Sequence, residues 1–140
     1  MTATVVRLVP LQAESIDIAA TGPVLPDHVP QIPLHRLLTM SRHGPDGPRL
    51  WHARRNLEMI GGLALKYLLG KRLKLVFTSA SQRQQTALTR WVIRRMDAVI
   101  ATSDRTAAYQ KRPAQVIMHG IDLEGFAHPA DRMALRRNLN

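Results

Sequence analysis

Short apolar segments alternate with longer helical segments from Leu50 to Met118, and this order constrains the fold more than any other feature. The apolar segments are Leu50 to Ala53, Leu73 to Thr78, Ala98 to Thr102 and Gln115 to Met118. Helices are predicted between them, over Leu57 to Leu69, Gln82 to Met96 and Ser103 to about Lys111. A helix that crosses the sheet returns the chain to the end where the first strand began, so strands joined by such helices are parallel, and the crossovers are right-handed. The order predicts an α/β fold: a parallel sheet with helices on both faces.

Local signals mark where the predicted helices begin and end. Asn56 and Ser103 stand directly before helical segments and are typical N-cap residues. Gly70 follows Leu69, where a helix commonly ends in a left-handed residue. The helix boundaries are therefore predicted independently of the apolar pattern.

The sequence before Leu50 is less regular. Ile16 to Ala20 is a short apolar run stopped by a turn signal, and is predicted as a further strand of the sheet. Thr2 to Ala13 fits either a strand or a helix kinked at Pro10. Six prolines between residues 22 and 48 predict a loop-rich excursion, with a brief edge strand at Val29 to Leu34 and one or two helical turns at Leu34 to Met40.

Composition narrows the class of protein. The chain has 140 residues, 45% hydrophobic and 21% charged, which is the balance of a globular domain. It has no cysteine, and its six histidines show no HExxH spacing, so no metal site is predicted. Apolar runs are too short to span a membrane and the start lacks a signal-peptide pattern, so a cytoplasmic location is expected. The net charge of +10 attracts polyanions: nucleic acid, lipid headgroups or sugar phosphates.

Polar residues follow the predicted strands, where ligands bind in open parallel sheets. The candidates for binding an acceptor or a phosphate are His52, Arg54, Arg55, Ser79, Ser81, His119 and Gly120, with Thr78, Thr102 and Ser103 beside them. Each has an alternative: a structural hydrogen bond for the histidine, solvation for the arginines, a helix cap for the serines, and a simple turn for the glycine. No residue is singled out as a general base.

The predicted helix from Gln82 to Met96 has a basic side. Arg83, Arg90 and Arg94 fall on one line of this helix. The residues Leu88, Trp91, Val92 and Met96 spread over the other side and are expected to pack on the sheet. The basic side is either solvated or in contact with an anionic membrane.

Three segments together carry a resemblance. They are Trp51-His52-Ala53-Arg54-Arg55-Asn56, Asp97-Ala98-Val99-Ile100-Ala101-Thr102-Ser103, and His119-Gly120-Ile121-Asp122 with Phe126 following. In this order they resemble the N-terminal half of family 4 GT-B glycosyltransferases, in particular bacterial lipopolysaccharide-core mannosyltransferases. The resemblance implies a Rossmann-like domain over residues 1–128 and the start of an interdomain linker at 129–140. It also implies that Thr2 to Ala13 is a helix whose preceding strand is absent.

The resemblance implies transfer of a hexose, mannose from GDP-mannose, onto a lipopolysaccharide-core or lipid-linked acceptor. The donor-binding C-terminal domain of the family has no counterpart here, so the chain alone is expected to bind no cofactor and to be inactive. Its partners would be that missing domain, an anionic saccharide or lipid-linked acceptor, and an anionic membrane on whose inner face it lies peripherally. Two other functions stay open: a basic nucleic-acid-binding protein, for which no reading motif is present, and a non-catalytic remnant of a split gene.

Overall fold

The computed structural model describes residues 3–22 and 25–118. Its elements follow in the order α1 (Ala3–Ala13), α2 (Leu34–Thr39), β1 (Arg49–Ala53), α3 (Asn56–Tyr67), β2 (Leu73–Ser79), α4 (Ala87–Ile93), β3 (Ala98–Ala101), α5 (Asp104–Tyr109) and β4 (Gln115–Val116). The domain boundary predicted at residue 128 lies outside the described residues.

The four strands form one parallel sheet in which each strand pairs with the next along the chain. Trp51 of β1 stands beside Leu75 of β2, and Phe77 of β2 stands beside Val99 of β3. All four strands predicted from Leu50 onward are present within two residues of their predicted ends. The α/β prediction is confirmed: the sheet is parallel, Rossmann-like and flanked by helices.

The two faces of the sheet differ in burial. In β2, Leu73, Leu75 and Phe77 are buried, whereas the alternate residue Lys74 is exposed and Val76 is half-buried. Side chains alternate between the faces of a strand, so the buried set marks the face on which α3 packs. Right-handed connections between strands in sequential order place all the connecting helices on one face. Of the cover predicted on both faces, the connecting helices supply the cover of this face.

The opposite face is called the open face below. It carries, from β1, β2 and β3, the side chains of Leu50, His52, Lys74, Val76, Thr78, Ala98 and Ile100, each of which is at least partly exposed. Leu50 keeps 67% of its surface accessible. The core of the described residues thus lies between the covered face and its helices.

Helix α3 lies very close to the sheet because of a glycine. A Cβ added at Gly62 would stand 2.6 Å from Trp51 Cδ1 and 3.1 Å from Leu75 Cδ2. The indole N–H of Trp51 donates to the backbone oxygen of Glu58 at 2.9 Å. Van der Waals contact and a hydrogen bond together fix this helix on β1 and β2.

The start of α3 is set by Glu58 rather than by an N-cap side chain. Its carboxylate accepts from the backbone N–H of Arg54 at 2.7 Å and of Arg55 at 3.2 Å. Arg55 occupies the N-cap position, so the prediction of Asn56 is wrong by one residue. The acidic side chain one turn into the helix satisfies N–H groups that a cap would otherwise bind. At the other end, Gly70 adopts the expected left-handed conformation, with φ of 61°.

A buried lysine joins α2 to the start of β2. Lys71 is only 7% exposed, and its Nζ donates to the backbone oxygens of Leu38, at 2.9 Å, and of Met40. Carbonyls at a helix C-terminus lack intrahelical partners, so the ammonium group satisfies them and is itself solvated by them. The one or two helical turns predicted between Leu34 and Met40 are confirmed.

Helix α4 is shorter than predicted, and two of the side chains expected on the sheet are exposed instead. It begins at Ala87, because the Thr86 hydroxyl accepts from the N–H of Thr89 at 3.2 Å and caps it. Arg83 therefore lies before the helix, and the predicted line of three arginines on one helix is wrong. Of the apolar side chains expected on the sheet, Leu88 and Trp91 are 60% and 50% exposed. Val92 and Met96 are buried as predicted.

The N-terminal region has helix where the sequence was ambiguous and lacks a predicted strand. Residues Ala3–Ala13 form α1, with Pro10 inside it. Ile16 to Ala20 is not a strand: Ala20 makes one isolated bridge to Gln31, and Ile16 is 56% exposed. A short apolar run needs a neighbouring strand along its length, and among the described residues this run has only the bridge from Ala20 to Gln31. The edge strand predicted at Val29 to Leu34 reduces to the same bridge.

Candidate functional site

Parallel pairing brings the ends of β1, β2 and β3 to one edge of the sheet, called the carboxyl edge below. Arg54 and Arg55 follow β1, Ser81 lies two residues after β2, and Ser103 follows β3 closely. The N–H of Thr102 donates to the oxygen of Ser79 at 3.2 Å, which links the ends of β2 and β3. Ligands of open parallel sheets bind at this edge.

His52 and Thr78 form a pair on the open face, next to the carboxyl edge. His52 Nε2 and Thr78 Oγ1 share a hydrogen bond of 2.7 Å between the neighbouring strands β1 and β2. Burial of the ring lowers the pKa of His52, the charge of Arg54 lowers it further, and Glu58 opposes both. The imidazole is therefore neutral at pH 7 and keeps both a donor and an acceptor nitrogen.

The two arginines after β1 are positioned through their backbone. Glu58 holds the N–H groups of both Arg54 and Arg55, so their side chains originate from a fixed point at the carboxyl edge. Arg54 is half-buried and Arg55 is exposed. The charge of Arg54 acts on the imidazole, whose pKa it lowers. This part of the edge is suited to an anionic group or to sugar hydroxyls.

The two serines do not stand at a helix N-terminus. Ser79 is 2% exposed on the covered face, and its Oγ lies 3.4 Å from the N–H of Ser81. Two roles were considered for these serines at the start of α4, phosphate binding and capping. Neither applies, because α4 begins only at Ala87 and is capped by Thr86. Ser103 does cap its helix: its Oγ accepts from the N–H of Thr106 at 3.1 Å.

The structure thus brings together only part of the predicted set. His52, Arg54 and Arg55 lie side by side, Ser81 follows the neighbouring strand, and Ser79 points to the other face. His119 and Gly120 lie outside the described residues. Among the membrane candidates, Arg83 and Arg94 are exposed and Arg90 is half-buried.

Glu58 was given no role by the sequence, and Thr78 was named only beside the candidates, without a partner. Glu58 could have been found from its place three residues after Arg55, the spacing of a capping carboxylate. The partnership of Thr78 with His52 depends on strand register, which a single sequence does not specify.

A shallow groove of about 660 Å³ runs along the open face and includes His52. Leu50, Val76, Ile100, Arg112 and Gln115 are among its lining residues. Arg112 donates to the backbone oxygens of Ile93 and Met96, so its guanidinium is held by the chain. Within residues 3–22 and 25–118, no three metal-ligating side chains gather. The helices of this same part are each too short to cross a bilayer.

Comparison with known proteins identifies two close relatives. The chain is 46% identical over 141 aligned residues, 99% of its length, to the lipopolysaccharide core biosynthesis mannosyltransferase LpsB of Rhizobium meliloti (strain 1021). It is 49% identical over 133 residues, 94% of its length, to the lipopolysaccharide core biosynthesis mannosyltransferase LpcC of Rhizobium leguminosarum bv. viciae. It spans 40% and 38% of the lengths of these relatives.

No family model and no solved structure matches the chain. Identity of nearly one half over almost every residue nevertheless leaves no doubt about common descent. The resemblance read from the segments around His52 and Asp97 is confirmed. The chain is thus homologous, over nearly its whole length, to two bacterial lipopolysaccharide core mannosyltransferases, and it spans about two fifths of the length of each.

Proposed function

We propose that the chain is the acceptor-side portion of a glycosyltransferase that moves mannose from GDP-mannose onto a lipopolysaccharide-core or other lipid-linked acceptor. The observation that carries the proposal is the alignment of 94–99% of the chain with two proteins named as lipopolysaccharide core mannosyltransferases. The carboxyl edge supports it, since His52 and Arg54 offer neutral and cationic hydrogen-bonding groups to a sugar that carries acidic substituents.

The proposal assigns the two substrates to different parts of the whole enzyme. The nucleotide sugar is bound by the C-terminal GT-B domain, which corresponds to the length of the relatives that this chain does not span. The neutral imidazole of His52 accepts a hydrogen bond from a hydroxyl of the sugar acceptor or donates one to it. The arginines orient an anionic group of the same sugar acceptor. This chain's share of catalysis is positioning.

The lipid-linked acceptor places the reaction beside a bilayer. The proposal therefore includes a peripheral position on the inner, cytoplasmic face of the cell membrane, with Arg83, Arg90 and Arg94 as candidate contacts. Anionic leaflets attract clustered basic residues. The net charge of +10 has the required sign.

Reconstitution tests the proposal. The purified chain is incubated with labelled GDP-mannose and a detergent-solubilised core acceptor, alone and with the separately expressed part of LpsB that it does not span. Turnover is expected only in the mixture, and turnover by the chain alone would contradict the division of substrates. Steeply salt-dependent binding to random duplex DNA without turnover would instead support the nucleic-acid-binding alternative. Absence of both would support the non-catalytic remnant.

A matched pair of variants locates the acceptor site within the same assay. Arg54→Gln removes a guanidinium at the carboxyl edge, and Arg72→Gln makes the same change at the opposite edge, just before β2. Loss of a charge-assisted hydrogen bond should raise the KM for the acceptor about tenfold or more in the first variant. The KM for GDP-mannose and both constants of the Arg72→Gln variant should stay unchanged. Equal effects of the two substitutions would contradict this location.

A further inference from the structure

Helix α4 turns an aromatic and an aliphatic side chain outward among arginines. Its inward residues Thr89, Val92 and Ile93 are buried against the core, which fixes the orientation of the helix. Leu88 and Trp91, one turn apart, are 60% and 50% exposed and line a shallow hollow together with Ala87. An exposed indole beside a leucine offers an apolar contact of the kind that interaction sites use.

Arginines surround these apolar side chains. The guanidinium of Arg95 lies over the Trp91 ring, 3.5 Å from its centre, and donates to the Trp91 backbone oxygen at 3.1 Å. Arg94 is exposed next to it, and Arg83 and Arg90 belong to the same stretch of chain. From Ser79 to Met96 the sequence contains no acidic residue. The local charge is therefore positive without internal neutralisation along this stretch.

We propose that this surface, formed by Ala87, Leu88, Trp91, Arg94 and Arg95, docks on an anionic lipid bilayer. The indole of Trp91 and the side chain of Leu88 enter the headgroup region, where tryptophan is favoured because it is both apolar and a hydrogen-bond donor. Arg94 and Arg95 lie against lipid phosphates, with their aliphatic stems along the apolar side chains. Charge complementarity selects an anionic leaflet over a neutral one.

The docking surface is joined to the candidate acceptor site. Asn56, the third residue after β1, donates its side-chain N–H to Thr89 Oγ1 at 2.8 Å, and Thr89 is buried in α4. The start of α4 is thereby held beside the carboxyl edge. A bilayer bound at α4 would thus lie on the side of the domain that carries the start of this helix and Asn56, two residues after Arg54, as a lipid-linked acceptor requires. In this respect the inference rests on the proposed function, although binding itself does not.

Vesicle co-sedimentation of the full chain tests the docking. Vesicles of phosphatidylcholine alone are compared with vesicles that also contain phosphatidylglycerol, at physiological salt. The chain is expected on the anionic vesicles only. The double variant Leu88→Ser with Trp91→Ser should lower the partition coefficient about tenfold or more. Circular dichroism verifies that the variants are folded, which is expected because both side chains are exposed.

Helix α3 supplies a matched control. Tyr67 and Leu68 are also an exposed aromatic residue and an exposed leucine, at 64% and 82%, with Lys66 against the tyrosine ring. Tyr67→Ser with Leu68→Ser should leave the partition unchanged. Arg94→Gln should reduce it about fivefold, as expected for one basic residue at an anionic surface, whereas Arg105→Gln on α5 should not. Equal losses in the two double variants would overturn the proposal.

Insertion of Trp91 into the bilayer can be measured separately, by fluorescence quenching. The chain has two tryptophans, and the indole of half-buried Trp51 is held by Glu58. Brominated lipids should quench the fluorescence of the chain but not that of the Trp91→Phe variant, in which only Trp51 emits. Equal quenching of both, or binding to duplex DNA where anionic vesicles fail to bind, would overturn the inference. Turnover of detergent-solubilised acceptor that persists without vesicle binding would refute docking and leave the proposed mannose transfer standing.

Discussion

At the scale of single residues, His52 shows how the carboxyl edge keeps a base uncharged beside a cation. Burial of its ring and the charge of Arg54 both disfavour the imidazolium form, and Glu58 compensates only in part. The hydrogen bond to Thr78 fixes the ring across two strands. An anion at Arg54 would favour the imidazolium again, so binding there and protonation of His52 are linked.

This lowered pKa predicts a loss of stability in weak acid. The unfolded chain takes up the proton near pH 6.5, whereas the folded chain does so only at lower pH. The unfolded state therefore binds more protons between these values, and stability falls as the pH drops through them. From pH 7.5 to 5, the midpoint temperature of thermal unfolding should fall less steeply for His52→Gln than for the unchanged chain. The control is the same substitution at exposed His28, which should keep the slope of the unchanged chain. Parallel slopes for all three proteins would contradict the prediction.

The surroundings of Asp97 favour its charged form, whereas those of His52 favour the neutral form. Burial of Asp97 raises its pKa, but the Leu75 N–H at 2.7 Å and the Lys66 ammonium at 2.9 Å, with the charge of Lys74, outweigh this and lower it. A lowered carboxyl pKa stabilises the fold above about pH 3.8 and ceases to do so as the pH falls through the folded value.

The Asp97→Asn variant should therefore be less stable than the unchanged chain at neutral pH. One charge-assisted hydrogen bond on a partly exposed group corresponds to about 1 kcal/mol. Urea unfolding should show this difference at pH 7 and none at pH 2. Asp17→Asn, at an exposed position before Ala20, should change neither value. A difference that persists at pH 2 would show that shape rather than charge is responsible.

At the scale of helices and strands, two adjacent glycines of α3 have opposite surroundings. Gly62 lies against Trp51 and Leu75 with no room for a methyl group, whereas nothing lies within 4 Å of the position of a Cβ at Gly61. Gly62→Ala should destabilise the fold by about 1–3 kcal/mol through overpacking. Gly61→Ala should stabilise it by about 0.5–1 kcal/mol through helix propensity. Chemical denaturation of both variants measures the contrast, and a loss of stability in both would contradict it.

The elements that the sequence predicts correctly are those whose signals are local. The strands after Leu50 carry buried apolar runs, and Ser103 and Gly70 mark helix ends by their own chemistry. The start of α4 was missed because Gln82 to Gln85 have good helix propensity, while the real boundary depends on the Thr86 cap and on the bond from Asn56 to Thr89. The strand predicted at Ile16 to Ala20 was wrong for a related reason, since strand formation depends on a neighbouring strand that the residues of the segment do not specify.

The same limit applies to the candidate site. Membership of the carboxyl edge follows from strand order alone, so Arg54 and Arg55 were predictable. Which face a side chain takes depends on the pleat and on register, so the separation of Ser79 from His52 and the contact with Thr78 were not. The exposure of Trp91 was not predicted, because its spacing from the other apolar residues of the helix fits a buried helical stripe as well as an exposed one.

At the scale of the whole molecule, we expect the open face to cause self-association in solution. Leu50 is 67% exposed beside the half-buried Val76 and Ile100, so the chain presents a contiguous apolar surface. Sedimentation velocity should show self-association that grows with concentration and decreases in Leu50→Ser. Leu57→Ser, which alters an 81% exposed leucine on α3, should leave the association unchanged. A monomer at every concentration would contradict the prediction.

The strand order also has a consequence for how the chain reaches its folded state. Each strand after β1 pairs with the one that precedes it in sequence. A polypeptide emerging from the ribosome can therefore add one strand and one helix at a time, with no earlier segment waiting for a distant later partner. Loop closure is then entropically inexpensive at every step. The sheet can grow in the order of its synthesis, before translation of the chain is complete.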